Sequence, residues 1–466
     1  MLHRTDDGEH ARTPPRDGFG PQDVLLTDLY ELTMLSGYET SGLRDSAVFE
    51  LFVRALPKSR RFLIAAGLEQ GVEFLENLHF GRAELDYLAE SGRFSATFVE
   101  RLSKLRFTGD VDAVPEGTIV FENEPIVRVT APLQEAQFVE ARLMNLIHFQ
   151  TVIASKAVRS VLAAPGKILV DFGLRRAQGF EAGLLAARAA YLVGFAGTAT
   201  VLAGMRFGIP LYGTMAHSFI EAHDDELAAF RAFAAANPDD VFLLIDTYDT
   251  EEAAEKVVTL AREGFDVRGV RIDSGDLAEH ARRVRRILDA GGLERSAIFV
   301  SGGLDEFALR DLVRAEVPID GFGVGTRLDT SADAPFLDCA YKLEEYAGRP
   351  RRKRSEGKAT WPGRKQVFRR RTRNGTMVVD TVAVEGDRIE GRPLLIPILR
   401  RGRRVASVES LETIRRRVAA GLASLPSYLR ALEPGTSYPV LIAPSLRQLA
   451  KRVDESVVKL GQERAP

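Results

Sequence analysis

The stretch Val267-Arg268-Gly269-Val270-Arg271-Ile272-Asp273-Ser274-Gly275-Asp276 runs from an apolar strand directly into a polar tip carrying one guanidinium and two carboxylates. Leu277–Leu288 follows with helical spacing, so the segment reads as one strand–turn–helix unit. The same event recurs on both sides of it. Other apolar strands end at Asp171-Phe172-Gly173-Leu174-Arg175-Arg176, Gly213-Thr214-Met215-Ala216-His217-Ser218, Asp246-Thr247-Tyr248-Asp249-Thr250, Ser301-Gly302-Gly303-Leu304-Asp305-Glu306 and Gly323-Val324-Gly325-Thr326. Alanine-rich helical segments such as Ala177–Tyr191 and Glu221–Ala235 separate them, which is the rhythm of parallel βα units. Strands are expected near Ile168–Asp171, Pro210–Thr214, Val241–Asp246, Val267–Ile272, Ile298–Ser301 and Gly321–Val324. Six are too few for a complete eight-stranded barrel, and 194–201 is a candidate for another. The expected fold is therefore α/β, an irregular or incomplete (β/α) barrel whose strand tips share one rim.

The 466 residues suffice for more than one domain. Residues 1–21 read as a disordered tail, 22–160 as an N-terminal α+β region, 161–330 as the barrel-like catalytic domain and 331–466 as a C-terminal segment. Asp28 and Glu31 have capping-box spacing at the start of a first helix, and a long helix is expected over about Gln134–Leu162. Residues 349–373 hold twelve Lys/Arg against one acid, Glu356, and read by default as a solvated, flexible loop. The net charge of −2 argues against a protein that coats nucleic acid. A single cysteine, Cys339, points to a reducing cytoplasm and reads as a small hydrophobe, and the apolar runs are too interrupted to span a membrane.

The strand tips carry the chemistry. Gly302, Gly303 and Gly325 expose backbone N–H groups, and Thr326 adds a hydroxyl, which together form a seat for a phosphate. Asp273 suits vicinal ribose hydroxyls, while Asp276 stands where a helix N-cap belongs. Phe172 and Arg175 offer a flat ring face and a guanidinium for an anionic aromatic ligand, or else a core ring and a surface ion pair. His217 is either a structural imidazole or a catalytic one at the active rim, and His223 reads as a helix-surface residue. Lys358 and Lys365, flanked by Gly357 and Gly363, have the mobility to fold over a pyrophosphate.

Taken together, these segments resemble the nicotinate phosphoribosyltransferase family. The resemblance runs through Leu26-Thr27-Asp28-Leu29-Tyr30, residues 172–179, 213–219, 244–250, Arg271–Asp276 and Ser355–Lys358 with Pro362–Gln366, in that order. It implies a barrel beside a second α+β domain built from both chain ends, and a homodimer with shared active sites. The implied nicotinate contacts are Tyr30, Phe172, Arg175, Thr214 and Arg271, with Tyr30 reaching in from the partner. Asp28, Asp273, Gly302, Gly303, Gly325, Thr326, Lys358 and Lys365 would meet phosphoribosyl pyrophosphate. His217, Arg271 and Asp273 would be catalytic, His217 as a phosphohistidine formed from ATP, with Mg²⁺ carried on the substrate phosphates. No separate metal-ligand set is implied.

Relatives acting on nicotinamide have aspartate in a Gly-Thr-Asp-Thr-Val segment, where this chain reads Gly197-Thr198-Ala199-Thr200-Val201. Ala199 therefore favours nicotinate over the alternative substrate nicotinamide. Ser301-Gly302-Gly303 departs from the polar pair many members carry there. A regulatory protein binding nucleic acid through 349–373 is the rival reading from another class.

Overall fold

The computed structural model describes residues 23–462, so the tail assigned to 1–21 lies outside the described residues. Six parallel strands form the barrel section: β1 (Ile168–Asp171), β2 (Gly197–Thr198), β3 (Val241–Leu244), β4 (Val267–Ile272), β5 (Ala297–Val300) and β6 (Gly321–Val324). Their spatial order is β2-β1-β6-β5-β4-β3, and every neighbouring pair is parallel. Because β6 pairs with β1, the order is cyclic, and a parallel bridge from Thr198 to Leu211 adds one more station beyond β2. The sheet is a curled, incomplete barrel.

The strand expected over Pro210–Thr214 is reduced to that bridge, whereas 194–201 supplies β2. The physical reason lies in the adjoining segment: Gly213–Ala216 gives its backbone to the rim, and the Met215 carbonyl accepts from Arg271 instead of from a neighbouring strand.

A second body is built from both chain ends. Its seven-stranded antiparallel sheet runs in the order Arg349–Pro350, Cys339–Tyr346, Ser46–Val53, Pro125–Pro132, Asp110–Ala113, Ile396–Arg400 and Arg403–Arg404. A further four-stranded sheet comprises Arg392–Pro393, Lys365–Arg371, Met377–Val384 and Val440–Ile442. The expected long helix breaks at Val139 into Leu133–Phe138 and Glu140–Ala163. At the first helix, Leu29–Thr40, Asp28 occupies the N-cap without a side-chain bond. Its presumed partner Glu31 instead accepts from Thr27 and, at 2.7 Å, from the Ala141 N–H. Burial of that carboxyl overrides the capping box, pushing its pKa up to about 7.

The basic run is not one loop. Arg349–Pro350 and Lys365–Arg371 are strands, and six of its twelve cations form ion pairs with acids of other segments. Arg352 and Arg354 pair with Asp454, Arg364 with Glu345, and buried Arg369 with Asp380. Cys339 lies on a strand, and burial pushes its thiol up to about 12, which suits a packing residue rather than a nucleophile. Among the described residues no helix is long and apolar enough to cross a membrane.

The Glu140–Ala163 helix locks the two bodies together through buried charge. Lys156 and Arg159 meet Glu306 at 2.6 and 2.7 Å, and Lys156 also meets Asp333 at 3.1 Å. Asp333 in turn holds Arg60 at 3.0 Å, and these neighbours keep its carboxyl far below the usual range against the penalty of burial. Removing one partner from such a network strands the others, at a cost of about 3–5 kcal/mol. Glu306→Ala is therefore expected to lower unfolding stability by that order in urea titrations. A loss below about 1 kcal/mol, the scale of an exposed ion pair, would show that the network does not hold the bodies together.

Candidate active site at the strand tips

The tips of β3, β4 and β5 are tied by two carboxylates, Asp246 and Asp273. Asp246, just beyond β3, lies with Oδ1 3.3 Å from His217 Nε2, while its Oδ2 accepts the Asp273 N–H at 3.1 Å and the Ser274 hydroxyl at 2.5 Å. Asp246 is almost fully buried and the His217 ring is 40% exposed, so a fixed anion orients a reachable imidazole. Asp273 continues the chain by accepting from the Ser301 hydroxyl. A Cβ on Gly302 would sit 2.1 Å from the Asp273 carbonyl oxygen, and Gly302 has φ +95°, so only glycine serves there.

Arg271 stands on the inner side of this row. Its Nη2 donates to the Met215 carbonyl at 3.2 Å, its buried Nε has no partner, and its guanidinium lies 6.0 Å from the centre of the Phe172 ring. Burial lowers its pKa; Asp273 and Asp246 oppose that shift, and the nearby charge of Arg175 adds to it. Arg175 and Arg271 thus bear on the same space. The cavity there has a volume of about 200 Å³ and is lined by Phe172, Thr214 and Arg271, with Phe242 and Phe299 deeper in the barrel. Two larger cavities, of about 380 and 400 Å³, flank Phe180–Glu181 and contain neither Phe172 nor Arg271. The smaller one brings Phe172, Thr214 and Arg271 together; His217 and Asp273 stand outside its lining.

Gly325 caps the short helix Thr326–Asp329 beside Phe172; a Cβ there would lie 2.9 Å from the Phe172 carbonyl oxygen. Thr326 is exposed at this turn, and Gly303 stands with φ +64° at the neighbouring one. The glycine turns and Thr326 therefore flank the pyridine-sized cavity. Ala199 follows β2 on the same rim, its N–H bonded to the Asp171 carbonyl at 2.9 Å.

Four of the sequence-derived candidates, Lys365, Asp28, Tyr30 and Lys358, are elsewhere. Lys365 is buried in the second body, 3.0 Å from Glu50 and bonded to the Gly363 and Trp361 carbonyls, so its ammonium is already consumed and cannot close on a pyrophosphate. Asp28 and Tyr30 belong to the Leu29–Thr40 helix, where burial and Glu140 raise the Tyr30 phenol. Lys358 is exposed in the connection between Arg349–Pro350 and Lys365–Arg371. Asp276 is a helix N-cap, accepting from the Ala278 and Glu279 N–H groups. His223, expected on a helix surface, lies just beyond the His217–Glu221 helix, half-buried, and bonds to the Phe219 carbonyl at 2.8 Å.

Sequence reading gave no role to Asp246, although it ends an apolar strand, and none to the pair Asp171 and Asp329. Asp171 accepts from the Gly173 N–H at 2.8 Å and from the Thr198 hydroxyl at 2.7 Å. Asp329 lies fully buried against it; a Cβ on Gly173 would be 2.1 Å from its carboxyl carbon. Neither Asp329 oxygen has another hydrogen-bond partner. Two ionised carboxylates are both acceptors, so they can bond only when they share a proton. Burial and then the Asp171 charge push Asp329 well above the usual carboxylate range, making it the protonated member.

This pair ties the Phe172 loop to the Gly325–Thr326 turn, and its energetics have a definite sign with pH. The folded pKa of Asp329 exceeds the unfolded one, so its stabilising contribution is complete below about pH 4 and is lost as pH rises through the folded value. Asparagine keeps a donor without an ionisable proton. The melting temperature of Asp329→Asn is expected to gain on that of wild type as pH rises above about 4. Asp329→Ala should lose about 1–3 kcal/mol for the stranded acceptor. A pH-independent difference between the Asn variant and wild type would dispose of the shared proton.

Comparison with known proteins agrees with this geometry. Family models described as the nicotinate phosphoribosyltransferase N-terminal domain, family and C-terminal domain match residues 25–148, 168–350 and 387–450. The chain is 49% identical over 425 residues to nicotinate phosphoribosyltransferase pncB2 of Mycobacterium tuberculosis, covering 90% of this chain and 91% of that one. It is 40% identical over 364 residues to the nicotinate phosphoribosyltransferase of Bacillus subtilis, covering 76% and 74%. The crystal structure of human nicotinic acid phosphoribosyltransferase superposes with a TM-score of 0.82 at 29% identity, covering 92% of this chain and all of that one. Sequence, fold and rim geometry agree, and the chain belongs to the nicotinate phosphoribosyltransferase family.

Proposed function

We propose that this protein is an enzyme joining nicotinate to 5-phosphoribosyl 1-pyrophosphate, giving nicotinate mononucleotide and pyrophosphate in NAD salvage, with ATP as co-substrate. The observation that carries the reading is Arg271: a buried guanidinium with an unpartnered Nε, set over the Phe172 ring in a small barrel cavity. A flat carboxylate satisfies both at once, its ring on Phe172 and its anion on Arg271 and Arg175. The names of the relatives support the same substrates.

In the transfer, the bond from the ribose anomeric carbon to pyrophosphate breaks with its electron pair leaving on oxygen. The pyridine nitrogen then forms the new C–N bond from the opposite face. The intervening sugar is cationic, and Asp273 at the rim can hold its hydroxyls while the glycine turns and Thr326 take the 5-phosphate. Mg²⁺ belongs to this picture as part of the phosphate-bearing substrates. Lys358 remains a candidate for the pyrophosphate end, and Lys365 does not.

His217 supplies the second reaction. With Nε2–H donated to Asp246, Nδ1 keeps its lone pair and can attack the γ-phosphorus of ATP. The N–P bond forms as the P–O bond to ADP breaks; water later cleaves N–P and releases phosphate. Brief exposure to γ-labelled ATP is expected to leave acid-labile, base-stable label on wild type, reduced at least about tenfold in Asp246→Asn. Equal labelling of His217→Ala would overturn the assignment.

Two further features support a homodimer with shared sites. Tyr30 and Leu29 are exposed on a helix that packs against Leu133–Phe138 rather than on the rim of their own barrel. Phe180 and Leu174, beside the rim, are also exposed and await cover. A cytoplasmic home fits the lone cysteine. The rival nucleic-acid reading has less support from the basic run, half of whose charges meet internal acids.

The deciding experiment is a product assay with nicotinate, nicotinamide and quinolinate, each with and without ATP. Nicotinate turnover that ATP increases is expected. Ala199→Asp should lower kcat/KM for nicotinate by about tenfold or more, by placing a carboxylate against a carboxylate, and should gain activity on nicotinamide. Preferred use of nicotinamide or quinolinate by the unaltered chain would refute the proposal.

A further inference from the structure

One cluster in the second body has no part in the reaction. A cavity of about 200 Å³ lies between the four-stranded sheet, the Leu411–Ser424 helix and the Pro115–Ile119 connection. Four arginines line it, Arg369, Arg371, Arg392 and Arg417, and no carboxylate does. Two of the four are satisfied from behind. Arg369 binds Asp380 at 2.9 and 3.0 Å, and the Tyr438 hydroxyl holds that carboxylate at 3.1 Å. Arg417 donates to Glu409 at 2.8 Å and to the Glu116 carbonyl at 2.5 Å.

The exposed side chains of Arg371 and Arg392 have neither a hydrogen bond nor an ion pair among the described residues. Their placement works against stability. Arg369 and Arg392 are direct cross-strand partners, a like-charge arrangement that a sheet normally avoids. The ladder shifts register between Arg370 and Arg371, and Arg371 joins the other two at the cavity. Only two arginines in the described chain have a pKa moved downward. One is Arg271, which awaits a substrate anion; the other is Arg371, lowered by burial and then by Arg369 and Arg392. The walls are firm: Gly117 has φ +81° and lies where a Cβ would touch Val418 and Ile414 of the helix.

Two cations of the cluster, Arg371 and Arg392, have no anion of their own, and an external one would stabilise them. Converging guanidinium forks suit the oxygens of phosphate in particular, and several together call for more than one negative charge. The cavity is small for a drug-sized ligand, for which about 300 Å³ is the lower end, but it admits a short phosphate chain. We infer that Arg371 and Arg392, backed by Arg369 and Arg417, form a second anion site that binds the oligophosphate group of a small molecule, away from the barrel rim. Free pyrophosphate and the tail of a nucleoside triphosphate share this chemistry. The site does not depend on the proposed transfer reaction.

The site has a mechanical path to the barrel. The Leu411–Ser424 helix packs on Phe180–Val193, the helix that follows the Arg175 loop, and Arg415 donates to the Phe195 carbonyl at 2.7 Å.

The test is calorimetric titration of the full-length protein with inorganic pyrophosphate, with ATP and with inorganic phosphate, alongside thermal melting. Wild type is expected to bind pyrophosphate or ATP at two sites per chain. The double variant Arg371→Gln, Arg392→Gln should lose one of them, weakening it at least tenfold, and keep its catalytic turnover without added effector. Because two repelling charges are removed, its melting temperature without ligand in low salt should equal or exceed that of wild type. Tighter ATP than pyrophosphate by tenfold or more identifies a nucleotide as the occupant; the reverse identifies free pyrophosphate. A single site in wild type, unchanged binding by the double variant, a lower ligand-free melting temperature of that variant, or binding of all three anions only above about 10 mM would each overturn the inference.

Discussion

A buried guanidinium without a carboxylate partner is the constraint around which the barrel end of this protein is arranged. Arg271 is carried on β4, faces a ring on the β1 loop and spends one N–H on the Met215 carbonyl. Taking a cation out of water without an ion pair is costly, and a fold keeps such a group only when the rest of the molecule can bear it. Here the large core of the barrel and the charged lock at Glu306 supply that margin. The unsatisfied Nε then becomes binding energy for an anion that presents a flat ring to Phe172.

Around that cation the carboxylates take different roles because their surroundings differ. Asp246 is buried but accepts from an imidazole, a backbone N–H and a hydroxyl, so it is well furnished with donors as an anion. Asp171 likewise has an N–H and a hydroxyl, whereas Asp329 has only Asp171 to face. Desolvation without donors favours the neutral acid. Charged elements packed near Asp329 are engaged elsewhere: Arg142 with Glu181, Lys156 and Arg159 with Glu306, and Arg188 with Glu116. Burial raises the Asp171 carboxyl too, but its donors oppose the shift, so the shared proton rests on Asp329. Asp171 directly precedes Phe172, Asp329 ends the short helix that Thr326 begins, and Asp246 holds the His217 ring.

The C-terminal half shows how misleading charge counts along a chain can be. Twelve cations within 349–373 look like a surface for polyanions. Folded, they meet acids from distant segments: Asp454 near the chain end, Glu345 on a neighbouring strand, Asp380 across the hairpin and Glu50 from the first sheet. Half of the twelve are left without an acid among the described residues, and one of these, Arg371, gathers with Arg392, which lies outside the run altogether.

The sequence by itself determined the alternation of strand and helix and most of the rim. Strands β1, β4 and β6 match their expected limits, and Phe172, Arg271, Asp273 and the glycine turns stand at strand ends as their local pattern required, while Thr214 and His217 follow a single bridge. That much is legible because the pattern of apolar residues along the chain sets the βα units, and parallel strands bring all their tips to one side. Only the tertiary structure decided which tip touches which. The bond of His217 to Asp246, the Asp171–Asp329 pair, the burial of Lys365 and the convergence of Arg371 with Arg392 join residues that hydrophobic periodicity does not relate. Their states follow from burial and from the number of donors at hand, and those quantities exist only once the chain has closed on itself.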